Sequence, residues 1–325
     1  MMDAETAELL GESLERAFRH ATVAAVEASL DEVGWREALA EEGTAVIPLL
    51  FTRQGMANAA SGALDDLVTT ALGLAADADT AFVLPEFGGY AAPGSVQDGA
   101  LTVRGLGTAR MPGAARAVVL AAGRDGALHA FTVETGKLET RPIGGVDPRL
   151  GLVAIEGRGL PASGGAAITA AAWEDALASA RAAVAYELIG VSRTMLRLAR
   201  EHAVTRVQFG RPIAAFQAVR HRLAECLVAI EAAEAAATAA VETGDRVSPL
   251  LAGIAKALAG RNARTVARHC QQVLAGVGFT DEHGFHHCFR RVLTLDGLFG
   301  DSRTLTRELG EDLLRTRRLP AAPLL

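Results

Sequence analysis

A mainly α-helical protein with a small β domain is expected, its parts ordered as helices, strands and then a helical bundle. Three observations support this. Apolar residues recur at helical spacing from residue 3 to about 75, and short β-prone runs between Gly, Pro and Asp turns fill 81 to about 155. Helical periodicity then returns and continues to the C-terminus. The corresponding units are 1–78 (N-terminal helical), 79–165 (shortened middle β) and 166–325 (C-terminal bundle).

In the first unit, Asp3 can cap a run carrying Leu9, Leu10, Leu14 and Phe18, and Ala-rich sequence continues through Leu30. Trp35 to Gly43 reads as a short helix with a glycine stop, and another helical segment runs from about Ala57 to Leu74. The β-prone runs begin at Phe82, Leu101, Ala117, Leu128 and Leu152, too few and short for more than a compact barrel or sandwich. Pro161-Ala-Ser-Gly-Gly165 reads as a linker. Four long helices are then expected at about 172–202, 212–243, 247–275 and 303–315, with a shorter one near 284–296. Gly244-Asp and Ser248-Pro249 mark a break between two of them. The run Glu231-Ala-Ala-Glu-Ala-Ala-Ala is a strong helix former facing a tight packing seam.

Half of the 325 residues are hydrophobic, enough for a sizeable core and two or three structural units. A net charge of −6 argues against a nucleic-acid surface, although local arginines can still grip a phosphate bidentately. Cys226, Cys270 and Cys288 are odd in number and widely spaced, which fits a reducing cytoplasm and argues against a disulfide framework or zinc site. The acidic N-terminus carries no apolar signal core, and no run of about 18 uncharged apolar residues occurs, so no membrane association is expected. His283, His286, His287 and Cys288 lack fixed ligand spacing and read as surface or interface residues.

Arg206-Val-Gln-Phe-Gly-Arg-Pro-Ile213 sits where one helix ends and the next begins. Gly210 can take positive φ and Pro212 pre-sets the following turn, so Arg206 can project its fork while Phe209 offers an apolar wall. By itself this reads more simply as an ordinary helix–turn–helix corner with a solvated arginine. Gln272-Val-Leu-Ala-Gly-Val-Gly-Phe279 is a second candidate, where Gly276 and Gly278 let backbone N–H groups approach a ligand; a helix C-cap is its plainer reading.

Together with Phe216-Gln-Ala-Val219, the first run resembles the "R-x-Q-F-G-x-P-I-x-x-F-Q-A-V" segment of the acyl-CoA dehydrogenase family. The second is similar to that family's "Q-x-x-G-G-x-G-[FY]", with Ala275 in place of the first glycine. The resemblance is strong from about 172 to 315 and thin before it. It implies the acyl-CoA dehydrogenase fold and dimers of dimers with FAD at the subunit interface. Arg206, Gln208, Phe209, Gln272, Gly276 and Asp301 become candidate FAD contacts, with Arg206, Phe209, Gln272 and Gly276 reaching toward a cofactor held mainly by a neighbouring subunit.

The sequence departs from the family at the catalytic base. Arg290 to Ser302 aligns without gaps onto "R-D-x-x-x-x-x-I-Y-E-G-T-S", and Phe299 occupies the glutamate position. Relatives that place the glutamate on the first bundle helix put it directly before an arginine; here that pair is Ala180 and Arg181. Abstracting a proton next to a thioester needs a carboxylate within hydrogen-bond reach, which neither residue supplies. Asp296, Asp301 and Glu187 are the conceivable substitutes. The middle domain also departs: Pro85-Glu-Phe-Gly-Gly and Thr108-Ala-Arg-Met-Pro-Gly113 stand where the family keeps "T-E-P-x-x-G-S" and an aromatic-plus-hydroxyl element against the flavin ring.

The expectation is therefore an auxiliary subunit of an α2β2 acyl-CoA dehydrogenase. The partner would supply the base for α,β-dehydrogenation of an acyl-CoA, and an electron-transfer flavoprotein or similar acceptor would follow. Such pairs occur in actinobacterial steroid side-chain degradation, and the Ala/Arg/Gly-rich composition suits a high-GC genome. Two alternatives stay open: an active homomeric dehydrogenase with an unusual carboxylate base, and a flavin-free scaffold or CoA-ester binding protein.

Overall fold

The computed structural model describes residues 4–19, 22–242 and 246–318. Five helices come first: α1 (Ala4–Ala17), α2 (Val23–Val33), α3 (Trp35–Glu42), α4 (Ile47–Ala57) and α5 (Ala63–Ala71). The expected Asp3 cap and Gly244-Asp break fall outside the described residues. Gly43 ends α3 at φ +57, as a glycine stop requires. The single segment expected from 57 to 74 is divided instead. Asn58 closes α4 in the left-handed region, and α5 starts afresh at Ala63.

Eight strands follow: β1 (Thr80–Phe82), β2 (Gly94–Gln97), β3 (Ala100–Gly107), β4 (Arg116–Ala122), β5 (Leu128–Glu134), β6 (Glu139–Pro142), β7 (Val153–Pro161) and β8 (Ala166–Ile168). They form one mixed sheet in the order β6-β7-β3-β2-β4-β5-β8, with β1 parallel to β4. Alternation along the strands separates two cores. Ala81, Val83, Ala117, Val119 and Phe131 pack together inside the sheet, whereas Phe82, Leu84, Val118 and Leu120 join the main core with the helices. The Pro161–Gly165 segment is not a linker. It turns β7 into β8, whose pairing with β5 keeps residues 166–168 in the sheet.

The bundle consists of α6 (Ala170–Thr205), α7 (Gln217–Val241), α8 (Pro249–Leu274), α9 (Phe285–Asp296) and α10 (Ser302–Thr316). Thr169 caps α6, and Ser248 caps α8 with Pro249 in the first turn. From Ala176 to Ser192, nearly every residue of α6 is buried, which marks it as the central helix. Its crossing with α4 needs two glycines: a Cβ on Gly55 would lie 2.1 Å from the Glu187 carbonyl oxygen, and one on Gly190 2.1 Å from that of Thr52. α8 packs against α6, α7, α9 and α10, with Ala233 and Ala237 of α7 buried in its seam. No described helix is long and apolar enough to cross a membrane.

Candidate functional site

Between α6 and α7 lies a hairpin of β9 (Val207–Gln208) and β10 (Arg211–Pro212). Phe209 at φ +51 and Gly210 at φ +77 form its two-residue turn, and positive φ at both positions matches the twist of a tight hairpin. Strands this short leave no alternation in the sequence, although the Phe-Gly pair is a signal for the turn. Phe209 is 91% exposed at the tip, and its ring meets that of Phe216 in a T-shaped arrangement with centroids 6.1 Å apart. Arg211 covers the Phe216 ring at 4.3 Å. Arg206 caps α6, its carbonyl accepts from the Ile213 N–H at 2.9 Å, and its side chain is exposed.

The hairpin faces the end of α8. Gln208, Phe209, Phe216, Arg222 and Gln272 line one surface groove of about 440 Å³. The fold thus brings together two segments more than 60 residues apart. Arg206 and Gly276 lie outside that lining. Gly276 is exposed, with open space where a Cβ would stand, but the unusual backbone belongs to its neighbour. Ala275 takes φ +52 and ψ −133, a conformation that only glycine adopts without strain.

The segment from Asp296 to Gly300, which joins α9 to α10, is held by its carbonyls. Lys256, fully buried on α8, donates to the Asp296 and Gly300 carbonyls at 2.9 and 3.3 Å. Burial pushes its ammonium down to about 8. The Gly88 N–H donates to the Gly297 carbonyl at 2.8 Å, and Arg181 Nε to that of Phe299 at 3.1 Å. Phe299 itself is 2% exposed, at φ +55, within the main core; Ala180 is fully buried.

None of the three substitute carboxylates is free. Asp301 is the cap of α10, accepting from the Arg303 and Thr304 N–H groups, and these bonds hold its carboxyl below the usual range despite partial burial. Asp296 accepts from Arg264 Nε at 2.9 Å and from the Ser302 N–H at 3.2 Å. Glu187 is buried between Gln54 at 3.0 Å and Arg291 at 3.3 Å; burial raises its carboxyl to about 7, against the pull of Arg291. Arg291, with no exposed surface, also donates to Asp147 at 2.5 Å and to the Ala59 carbonyl.

One further carboxylate is not legible in the sequence, because helical periodicity gives its face but not its neighbour. Glu308 of α10 accepts from the Tyr90 hydroxyl at 2.8 Å, and Arg181 lies 4.7 Å over the Tyr90 ring. In the β region, Thr108 donates to Asp65 at 2.6 Å, while Arg110 pairs with Asp66 and Glu27 in the interior. His286 Nδ1 lies 2.8 Å from the His283 carbonyl, and its ring lies against that of His287 at a tilt of 48°. Among the described residues, no group of three or more His, Cys, Asp or Glu is placed to hold a metal.

Residues 170–314, from the first helical residue of α6 to within α10, match the family model "Acyl-CoA dehydrogenase, C-terminal domain". These residues form an acyl-CoA dehydrogenase C-terminal domain. Acyl-CoA dehydrogenase FadE34 of Mycobacterium tuberculosis is 40% identical over 124 residues, covering 37% of this chain and 17% of the relative. Acyl-CoA dehydrogenase IpdE2 of the same organism is 35% identical over 130 residues, 40% of each chain. These matches thus span less than half the length of either relative. The likeness to the acyl-CoA dehydrogenase fold extends over nearly all of the chain. The ChsE4-ChsE5 complex from Mycobacterium tuberculosis superposes with a TM-score of 0.79 at 20% identity, over 98% of this chain and 99% of that one. A variant of the Tcur3481-Tcur3483 steroid acyl-CoA dehydrogenase gives 0.76 at 24%, over 96% and 99%.

Proposed function

We propose that this chain is the auxiliary subunit of a heteromeric acyl-CoA dehydrogenase, completing an FAD site held mainly by a glutamate-bearing partner. The observation that carries this reading is the contrast between the two ends of the bundle. At one end Phe209 projects almost wholly into solvent beside Gln208 and Gln272. At the other, Phe299 is buried in the base position, and the candidate carboxylates are committed to a helix cap or to buried cations.

The donated contacts fit FAD in chemistry. Phe209 offers a ring face, Gln272 a hydrogen-bonding amide, Gly276 an unobstructed backbone and Arg206 a guanidinium for a diphosphate. The chain's own ring contacts do not fit, because Thr108 and Arg110 are turned inward onto Asp65, Asp66 and Glu27. FAD, when bound, supplies the acceptor for the hydride leaving the thioester β-carbon. This chain's part is to grip and orient the cofactor and to exclude water from that corner. Exposed Leu227 and Val228 on α7 add apolar surface for the partner. The heteromeric neighbours support a two-chain assembly, and the steroid enzyme among them a bulky steroid-type acyl-CoA as the substrate class; the acceptor we assign is an electron-transfer flavoprotein or similar protein.

Co-expression with a glutamate-bearing homologue tests the reading. The two chains should co-purify with flavin absorbance, and Arg206→Ala should strip flavin from the complex without dissociating it. If the chain alone holds one FAD per protomer and oxidises an acyl-CoA, the proposal is wrong.

A further inference from the structure

We propose that Cys226 and Cys270 are a peroxide-responsive dithiol, which closes to a disulfide and clamps α7 onto α8. The inference goes beyond the subunit assignment and does not rest on it. The two sulfurs lie 3.9 Å apart across the seam between these helices, and neither residue has exposed surface. A disulfide needs about 2.05 Å between sulfurs, a closure that side-chain rotation and a small helix shift supply. The helices are already bridged beside the pair: Arg222 of α7 lies 3.2 Å from Nδ1 of His269 on α8, and Glu225 lies 3.6 Å from its Nε2. From Gln217 to Ala229, Cys226 is the one buried residue, with Val219 and Leu223 only half-buried. The thiol therefore sits where the exposed first half of α7 meets α8.

The pair is polarised. The hydrogen bond from Cys270 holds the Cys226 thiol below its ordinary range, and the same bond, with burial, holds Cys270 above it. Cys288 on α9 is pushed up to about 11 by burial, which leaves Cys226 the thiol most readily ionised. Burial also favours an oxidant of peroxide's size over a bulky disulfide. As the Cys226 thiolate attacks peroxide, an S–O bond forms, the O–O bond breaks, and the departing hydroxide takes up the thiol proton as water. The Cys270 sulfur then displaces hydroxide from the sulfenic acid. The S–S bond forms, the S–O bond breaks, and a second water leaves with the Cys270 proton. Both thiols are thereby oxidised and one peroxide is reduced to water. A dihydroflavin reacting with dioxygen releases peroxide, and Gln272 of the FAD corner follows Cys270 by two residues. That source, unlike the dithiol chemistry, rests on the subunit reading.

The reduced full chain, treated with hydrogen peroxide, should lose two of its three titratable thiols and recover them with dithiothreitol. Digestion at glutamate separates Cys270 from Cys288 at Glu282, and mass mapping should then join the Cys226 and Cys270 peptides within one chain. Cys270→Ala should stop at the sulfenic acid of Cys226, trapped by dimedone, and Cys288→Ala should cross-link as the natural chain does. In the oxidised chain, amide hydrogen exchange across the first half of α7 should slow about tenfold. No loss of thiols, a cross-link through Cys288 or between chains, oxidation to sulfinic acid without a cross-link, or unaltered exchange would overturn the proposal. Should either alanine variant fail to fold, mapping and exchange on the natural chain still decide.

Discussion

The guanidinium of Arg181 donates through Nε to the backbone carbonyl of Phe299 across 3.1 Å, joining the N-terminal third of α6 to the segment between α9 and α10. With Lys256 on the Asp296 and Gly300 carbonyls and the Gly88 N–H on that of Gly297, this bond fixes the backbone around Phe299. A side chain on so constrained a backbone cannot swing aside. The phenyl ring is therefore part of the packed interior.

Removing that ring should open a cavity the fixed backbone cannot collapse. Phe299→Ala is expected to destabilise the chain by about 3–5 kcal/mol, read as a lower urea midpoint with an unchanged slope. A loss below about 1 kcal/mol would show that the ring is not packed as described.

Ala275 bears the opposite kind of strain. At φ +52 and ψ −133 its Cβ is disfavoured, and Ala275→Gly should raise stability by about 1 kcal/mol even after the entropic cost of glycine. Thermal unfolding of the two proteins side by side checks the sign.

Phe209 contributes little to the isolated chain. Because the ring is 91% exposed, Phe209→Ala should change monomer stability by no more than about 0.5 kcal/mol. In the proposed complex the same variant should retain less flavin after gel filtration, and equal retention would remove Phe209 from the donated contacts.

Glu187 sets a pH dependence. Its carboxyl is raised by burial from 4.5 to about 7, so the folded chain holds the proton more tightly than the unfolded one. Its contribution to stability is thus fully present below about pH 4.5 and is lost as pH rises toward 7. Glu187→Gln should flatten this part of the urea-midpoint profile between pH 4.5 and 7. Asp65, raised by burial to about 7, retains its own slope in both proteins and serves as the internal reference.

The bundle is legible in the amino-acid sequence. Helical periodicity locates α6 to α10 to within a few residues, and Ser248-Pro249 marks the start of α8. The short strands β2, β6 and β8 are not, because four residues or fewer show no alternation, and the Pro161–Gly165 turn resembles a linker for the same reason. Of the candidate cofactor contacts, the residue types are visible in the sequence but their meeting is not. Gln272 and Phe209 share a groove only because α7 and α8 run side by side.

Residue identity and spacing suffice for the helical and β parts, the family resemblance and the absence of glutamate at 180 and 299, since periodicity and motifs are local properties of a chain. Whether another carboxylate could replace the base is a non-local question. It depends on which cation, cap or hydroxyl folding places beside each acid: Arg264 by Asp296, Arg291 by Glu187, Tyr90 by Glu308, and the first turn of α10 by Asp301. Burial and pairing set the protonation and reach of those groups, and both exist only once distant segments have packed.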